Sequence, residues 1–233
     1  MLLAVSMTAV LAVSHALLLW PRFDWAILEQ FISLRRPWLT TTMRIITWAG
    51  DGWVLVGVTV MLTALLWKRF RLQTAYLVLV GASVALMSPT LKWLFHRPRP
   101  DPALRLVEVG NYSFPSGHSL GSAGVYVAVA VTVAVIAPRY RLVSAAACLV
   151  LVFAIGLSRV YLRVHYPSDV IGGWALGVVW ALGVARILRV GAVGDRDVQT
   201  AASPRVERPG LGETVDCRES DSQAEITSDH DDT

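Results

Sequence analysis

The sequence predicts an all-α, polytopic membrane protein, a bundle of six transmembrane helices. Three observations predict it. Hydrophobic residues make up 55% of the 233-residue chain and mean hydropathy is +0.53, above the roughly 45–50% apolar share of a soluble domain. Six segments, near residues 2–20, 52–67, 73–95, 119–137, 142–162 and 170–190, approach the ~20 apolar residues that a spanning helix needs. Basic residues gather in the short connections between them.

The first segment, MLLAVSMTAVLAVSHALLLW, has no Lys or Arg ahead of its apolar core. A signal peptide would start with a basic region and offer a small-residue cleavage site, so this segment is read as a span. Residues 24–42, with Trp25 and Trp38 near their ends, are read either as an interfacial helix on the outer leaflet or as an ordinary loop. The 52–67 segment is short for a span and is expected to extend backwards into IITWAGDG. Gly173 and Gly177, with Gly172 and Gly183 nearby, predict close packing by the last span.

Charge divides the chain after Val190. Residues 1–190 carry 17 Lys and Arg against 6 Asp and Glu, and residues 191–233 carry 4 against 11. The acidic, aromatic-poor tail cannot bury enough apolar surface to offset chain entropy. It is read as a disordered cytoplasmic segment after a membrane domain of residues 1–190. Lys and Arg in short loops stay on the cytoplasmic side. KRFR at 68–71, PRYR at 138–141, and Arg186 with Arg189 therefore put both termini in the cytoplasm of a multi-pass plasma-membrane protein. The connections 21–51, 96–118 and 163–169 then lie outside. Arg35, Arg36, Arg97, Arg99 and Arg105 run against that bias, and long loops obey the rule poorly. Two cysteines, Cys148 and Cys217, offer neither a disulfide framework nor a zinc site. No nucleic-acid partner is expected.

Three polar clusters lie at the outer ends of spans. KWLFHRPRP, 92–100, sets Lys92 inside the end of an apolar run, where a cation is costly. NYSFPSGHSL, 111–120, places Ser116 as an N-cap. Unpaired N–H groups in the helix turn that follows bind anions, Gly117 would let an anion approach the backbone, and His118 could pass it a proton. SRVYLRVHYPSD, 158–169, spaces Arg159 and Arg163 four apart, and His165 and Asp169 four apart around Pro167. An Asp beside a His fixes the tautomer and stabilises the imidazolium. Each cluster alone has an ordinary reading: a snorkelling lysine before a Pro-rich exit, helix initiation, a salt-bridged surface. Together they hold three of the five histidines, His96, His118 and His165, all on the face assigned outside without reference to them. Lys92, Arg99 and Arg159 to hold an anion, and two histidines to act on it, make a phosphate site.

The same residues carry a resemblance. Lys92, six residues, Arg99-Pro100; Pro115-Ser116-Gly117-His118; and Ser158-Arg159, five residues, His165, three residues, Asp169 occur in order. The set resembles the type 2 phosphatidic acid phosphatase superfamily, which also includes the vanadium haloperoxidases and glucose-6-phosphatase. The resemblance implies that His165 attacks phosphorus to form a phosphohistidine while Asp169 orients its ring. It implies that His118 protonates the leaving group and then activates water, and that Lys92, Arg99, Arg159, Ser116 and the Gly117 N–H hold the phosphoryl oxygens. It implies no metal and no cofactor. His96, Arg97 and Arg163 fall at variable motif positions and are expected to be secondary at most.

The function expected is metal-independent hydrolysis of a membrane lipid phosphate or diphosphate at the outer face. Undecaprenyl diphosphate is favoured because an outward site suits a carrier lipid released there, with phosphatidic acid or phosphatidylglycerol phosphate as the alternative. A reading of another class is a lipid-binding or transport protein that keeps the anion pocket without turnover, which would not need His165. A haloperoxidase fits the motifs but not six spans.

Overall fold

The computed structural model describes residues 4, 6–8, 12, 21–110 and 112–190. Most of the expected first span, 2–20, and the whole expected tail, 191–233, lie outside the described residues. Among these residues all regular structure is helical: α1 Pro21–Ser33, α2 Pro37–Trp48, α3 Gly52–Leu66, α4 Arg71–Phe95, α5 Gly117–Ile136, α6 Arg141–Tyr161 and α7 Pro167–Ile187, with 3-10 turns at Pro102–Leu104 and Pro138–Tyr140.

The helix ends follow from local chemistry. Pro37 and Pro167 stand in the first turns of α2 and α7, where a missing N–H costs nothing and φ is already set. Pro37 also forces extended backbone on Arg36, at φ −139° and ψ 147°. This breaks residues 24–42 into two helices, where the sequence predicts one interfacial helix or a loop. Asp51 caps α3 by accepting the Trp53 N–H at 3.0 Å, and Ser116 caps α5 through the Ser119 N–H at 3.4 Å.

Four helical segments are long and apolar enough to cross a membrane: α4, α5, α6 with the turn before it, and α7. The pair α2 and α3 makes a fifth if counted as one span bent by 45°. The backward extension of 52–67 thus takes the form of a separate helix that turns away. A sixth span would rest on residues 2–20.

Helix α5 sits centrally, packed on α3, α4, α6 and α7. Small residues make this possible. A Cβ on Gly177 would lie 2.5 Å from the Leu120 carbonyl, and one on Gly173 2.9 Å from that of Ser116, so the two backbones abut. Tyr76, Val80, Leu120, Ala123, Ile155, Leu176 and Ala181 fill the core between the helices. The polar ends of buried aromatics reach carbonyls, Tyr76 at Ala181 (3.0 Å) and Tyr126 at Ala49 (2.7 Å), as buried hydroxyls must. Leu65, Leu86, Leu142, Leu149 and Phe153 point outward, the arrangement of a bundle solvated by lipid. Helix α1 lies against α6 and α7, with Leu28 buried on Val160 and Val170.

Candidate active site

One end of the bundle gathers the polar residues of all three motifs. The last turn of α4 carries Lys92, the following loop Arg97 and Arg99, the first turn of α5 Gly117 and His118, the last turn of α6 Arg159, and the first turn of α7 Asp169. His165 stands in the connection between α6 and α7. Lys92, Arg99, Gly117, His118, Arg159 and His165 line one cavity of about 670 Å³. Distant parts of the chain are tied directly: Arg99 Nη1 donates to the Val164 carbonyl at 2.7 Å. The Ser116 N–H donates to the Asp169 carbonyl at 3.1 Å, which locks the second motif to the third.

The hydrogen bonds determine the tautomer of His165. Arg99 Nη1 lies 3.2 Å from Nε2. A guanidinium only donates, so Nε2 accepts and the ring proton is on Nδ1. That nitrogen faces Asp169 Oδ2 at 3.5 Å and Ser113 Oγ at 3.4 Å. Nε2 therefore presents its lone pair toward the cationic cavity. Burial, then the charges of Arg99, Arg159 and Lys92, hold the His165 pKa well below the usual imidazole range. The resting ring is neutral at physiological pH, the form a nucleophile needs.

Asp169 is fixed from several sides. Its Oδ2 accepts from the Tyr166 N–H at 2.9 Å and from Ser113 Oγ at 2.5 Å; the first bond closes a capping box at the start of α7. Its Oδ1 is bound by Arg97 Nη1. Arg97 in turn holds Asp24 Oδ2 at 2.7 Å, stacks on the Tyr166 ring at 4.3 Å, and reaches Ser168 Oγ at 2.8 Å. Asp24 is fully buried and also takes the Ser168 N–H (2.9 Å) and hydroxyl (2.6 Å).

The cradle of cations is poorly compensated. Among the described residues neither Lys92 nor Arg159 has a carboxylate within 4 Å. Arg159 is 5% exposed, holds Thr47 Oγ1 at 2.8 Å, and leaves its buried Nε without a partner. Lys92 Nζ reaches the Tyr112 carbonyl at 3.0 Å. Burial lowers the Arg99 pKa to about 10, which leaves it cationic at neutral pH. Buried cations beside a cavity, one of them with an unpaired donor, can hold an anion.

Of the residues expected from the sequence, Ser116 stands apart. Its side chain is fully buried and its hydroxyl oxygen accepts from the Ser119 backbone N–H and from the Ser119 hydroxyl at 3.0 Å. It does not line the cavity; its place is the cap that aims the first turn of α5. His96 packs on Trp93 and Tyr112, away from the cavity. Three residues of the site are not evident from the sequence. Arg97 falls at a variable motif position, and Asp24 and Ser113 belong to no motif.

The family model described as the PAP2 superfamily matches residues 72–190. The chain belongs to the PAP2 superfamily. It is 34% identical over 160 residues to phosphatidylglycerophosphatase B of Bacillus subtilis strain 168, covering 67% of this chain and 78% of that one. It is 34% identical over 134 residues to the undecaprenyl-diphosphatase of Sulfolobus acidocaldarius, covering 55% and 60%. The crystal structure of a transmembrane PAP2-type phosphatidylglycerolphosphate phosphatase from Bacillus subtilis superposes with a TM-score of 0.71 at 30% identity, covering 79% of this chain and 93% of that one. This PAP2 protein is accordingly a multi-pass membrane enzyme, a phosphatase of lipid phosphate esters, as the three motifs implied.

Proposed function

We propose that the protein hydrolyses a glycerolipid phosphomonoester of the phosphatidylglycerol phosphate or phosphatidic acid class, at the outer membrane face, through a phosphohistidine. The observation that carries the reading is the shape of the cavity. Its polar end holds the cations and both histidines, and it continues as an apolar groove between α3 and α4, lined by Leu55, Val56, Val60, Val78, Ala82 and Ala85. A headgroup at one end and a hydrocarbon chain along the other fit that division.

In the proposed first step His165 Nε2 bonds to phosphorus and the P–O bond to the lipid breaks. His118 gives its proton to the leaving oxygen, and Asp169 balances the positive charge that develops on the ring. In the second step His118 takes a proton from water, the water oxygen bonds to phosphorus, and the N–P bond breaks to release phosphate. Lys92, Arg99, Arg159 and the Gly117 N–H hold the phosphoryl oxygens throughout.

Ser88 supports an acylglycerol over the prenyl chain favoured from the sequence. It lines the groove one turn below Lys92, and its hydroxyl would sit 2.9 Å from a Cβ on Gly117. Pro89, the next residue, has no N–H to close on the Ala85 carbonyl, so the wall is polar at that depth. An ester carbonyl there would accept from Ser88, whereas a prenyl chain has no acceptor beyond its phosphates. A second reading, undecaprenyl diphosphate, is supported by a cradle of three cations, enough for two linked phosphates. It is the substrate class named for the Sulfolobus relative.

Purified protein offered phosphatidylglycerol phosphate, phosphatidic acid and undecaprenyl diphosphate, with chelator present, decides between them. Phosphate released fastest from the two glycerolipids is expected; release from the diphosphate alone selects the second reading, and release from none rejects both. The proposed outward orientation predicts that a cysteine placed at Glu108 is labelled by an impermeant maleimide in intact cells and one at Arg69 is not.

A further inference from the structure

Two guanidinium groups outside the catalytic cavity lack the partners that burial demands. Arg163 is 4% exposed and holds a left-handed backbone at φ 57°, and its Nε and Nη1 are buried with no hydrogen-bond partner among the described residues. Arg35, in the turn between α1 and α2, spends Nη2 on the Leu104 carbonyl at 2.8 Å and leaves its buried Nε equally unpaired. The two segments meet: the Arg36 N–H donates to the Tyr161 hydroxyl at 3.4 Å, and the loop that Arg35 holds at Leu104 is tied to Leu162, next to Arg163, by the Leu106 N–H at 3.1 Å. Burial first, and then the Arg163 charge, lower the Arg35 pKa.

Among the described residues no carboxylate lies within 4 Å of either guanidinium. Among the described residues every ion pair involves Arg97 or His165, and the two nearby buried acids, Asp24 and Asp169, are committed to Arg97, Ser168, Ser113 and Tyr166. Two like charges with three orphan donors are costly to bury unless something negative arrives. Water could satisfy the donors but would leave the repulsion between the guanidiniums, whereas an oxyanion relieves both. The planar fork of arginine matches phosphate in particular.

The surroundings match a lipid headgroup. The Arg163 guanidinium lies 5.7 Å over the Trp25 ring, and Trp25, Ile32 and Leu34 of the same α1 region expose apolar surface; an amphipathic surface of this kind sits at the lipid interface. Neither arginine lines the catalytic cavity.

We propose that Arg35 and Arg163, beside Trp25, form a second oxyanion site that binds a phosphate group without hydrolysing it. The phosphate is either the headgroup of an anionic phospholipid or free orthophosphate.

The test compares wild type, Arg35→Gln, Arg163→Gln and the double variant, since the catalytic cradle is common to all four. Native mass spectrometry counts bound phosphatidylglycerol against phosphatidylcholine, and thermal unfolding is followed with and without orthophosphate. Wild type is expected to retain an anionic phospholipid that the double variant binds about tenfold more weakly, while turnover of a short soluble phosphomonoester stays within twofold. If orthophosphate raises the melting temperature in an Arg163-dependent way and the lipid does not bind differently, the site stands and its ligand is free phosphate. Equal binding of both ligands by wild type and double variant overturns the proposal. Should the double variant not fold, Arg35→Gln at its half-buried position carries the same comparison: weaker binding than wild type supports the site, and equal binding overturns it.

Discussion

At the scale of single residues, the proposed mechanism depends on keeping the His165 ring neutral before phosphate arrives and charged after phosphorus is attacked. Burial and the surrounding cations do the first, and Asp169 does the second. His165→Ala is expected to abolish turnover and the trapped phosphoenzyme while leaving lipid binding intact; His118→Ala should lower kcat by ~10²–10⁴, the usual contribution of a positioned general acid. The depressed pKa has a sign that can be checked. Above the ordinary imidazole pKa both folded and unfolded rings are neutral, so the site costs nothing there. As pH falls below it the unfolded ring takes a proton and the native ring does not, and stability is lost. Ring ¹⁵N shifts should show His165 neutral at pH 6, and Arg99→Gln should move its midpoint upward. The Asp24–Arg97–Asp169 chain carries one net negative charge. Asp24→Asn removes it, leaving Arg97 to neutralise Asp169 just as an imidazolium needs that carboxylate. A fall in kcat of about tenfold, with KM little changed, is expected, in keeping with one charge-assisted hydrogen bond. Adding Arg97→Gln restores the net charge and should recover part of the rate; a purely structural role for Asp24 would instead make the double variant worse.

At the scale of elements, the site depends on how closely α5 and α7 approach. Gly177 has the Leu120 carbonyl, the Ala123 Cβ and the Gly124 nitrogen within 2.8 Å of where its Cβ would be, and two of those atoms are backbone that cannot swing aside. Gly177→Ala should therefore destabilise by ~1–3 kcal/mol and reduce activity, because the α5 backbone it would push away presents Gly117 and His118. Gly57 in α3 is the control: a Cβ there meets nothing within 4 Å, so Gly57→Ala should be neutral or slightly stabilising through helix propensity. Melting temperatures of the two variants in detergent make the comparison. The break between α2 and α3 also has a packing role. Gly50 sits against Ile155 and the His118 ring, so the bend brings a backbone surface up to the proposed general acid.

At the scale of the whole molecule, the proposed function has the cavity join a water-facing reaction to a lipid-facing groove. That design predicts a separation of effects. Ala85→Trp, which fills the groove wall several residues below Lys92, should raise KM for a long-chain lipid phosphate by about tenfold or more, as expected when overpacking blocks a chain's path, and leave hydrolysis of a soluble phosphomonoester within about twofold. Equal loss on both substrates would mean that the hydrocarbon chain does not lie between α3 and α4.

The sequence by itself determined the class of the protein, because membrane burial acts on long apolar runs that are visible without coordinates. It also carried the family, because the motifs pair rare polar residues at fixed spacing with costly places at helix ends. Only the tertiary structure decided which of those side chains meet. Arg97 looks like a variable residue between motif positions, yet it clamps Asp24 and Asp169 from 73 and 72 residues away. Ser116 looks like a phosphate ligand from the motif, and the structure shows its oxygen also capping α5 through Ser119. The tautomer of His165 follows from a single guanidinium 66 residues distant. Periodicity and spacing act along the chain, whereas hydrogen-bond partners and compensation of charge are settled across it, once the helices have packed.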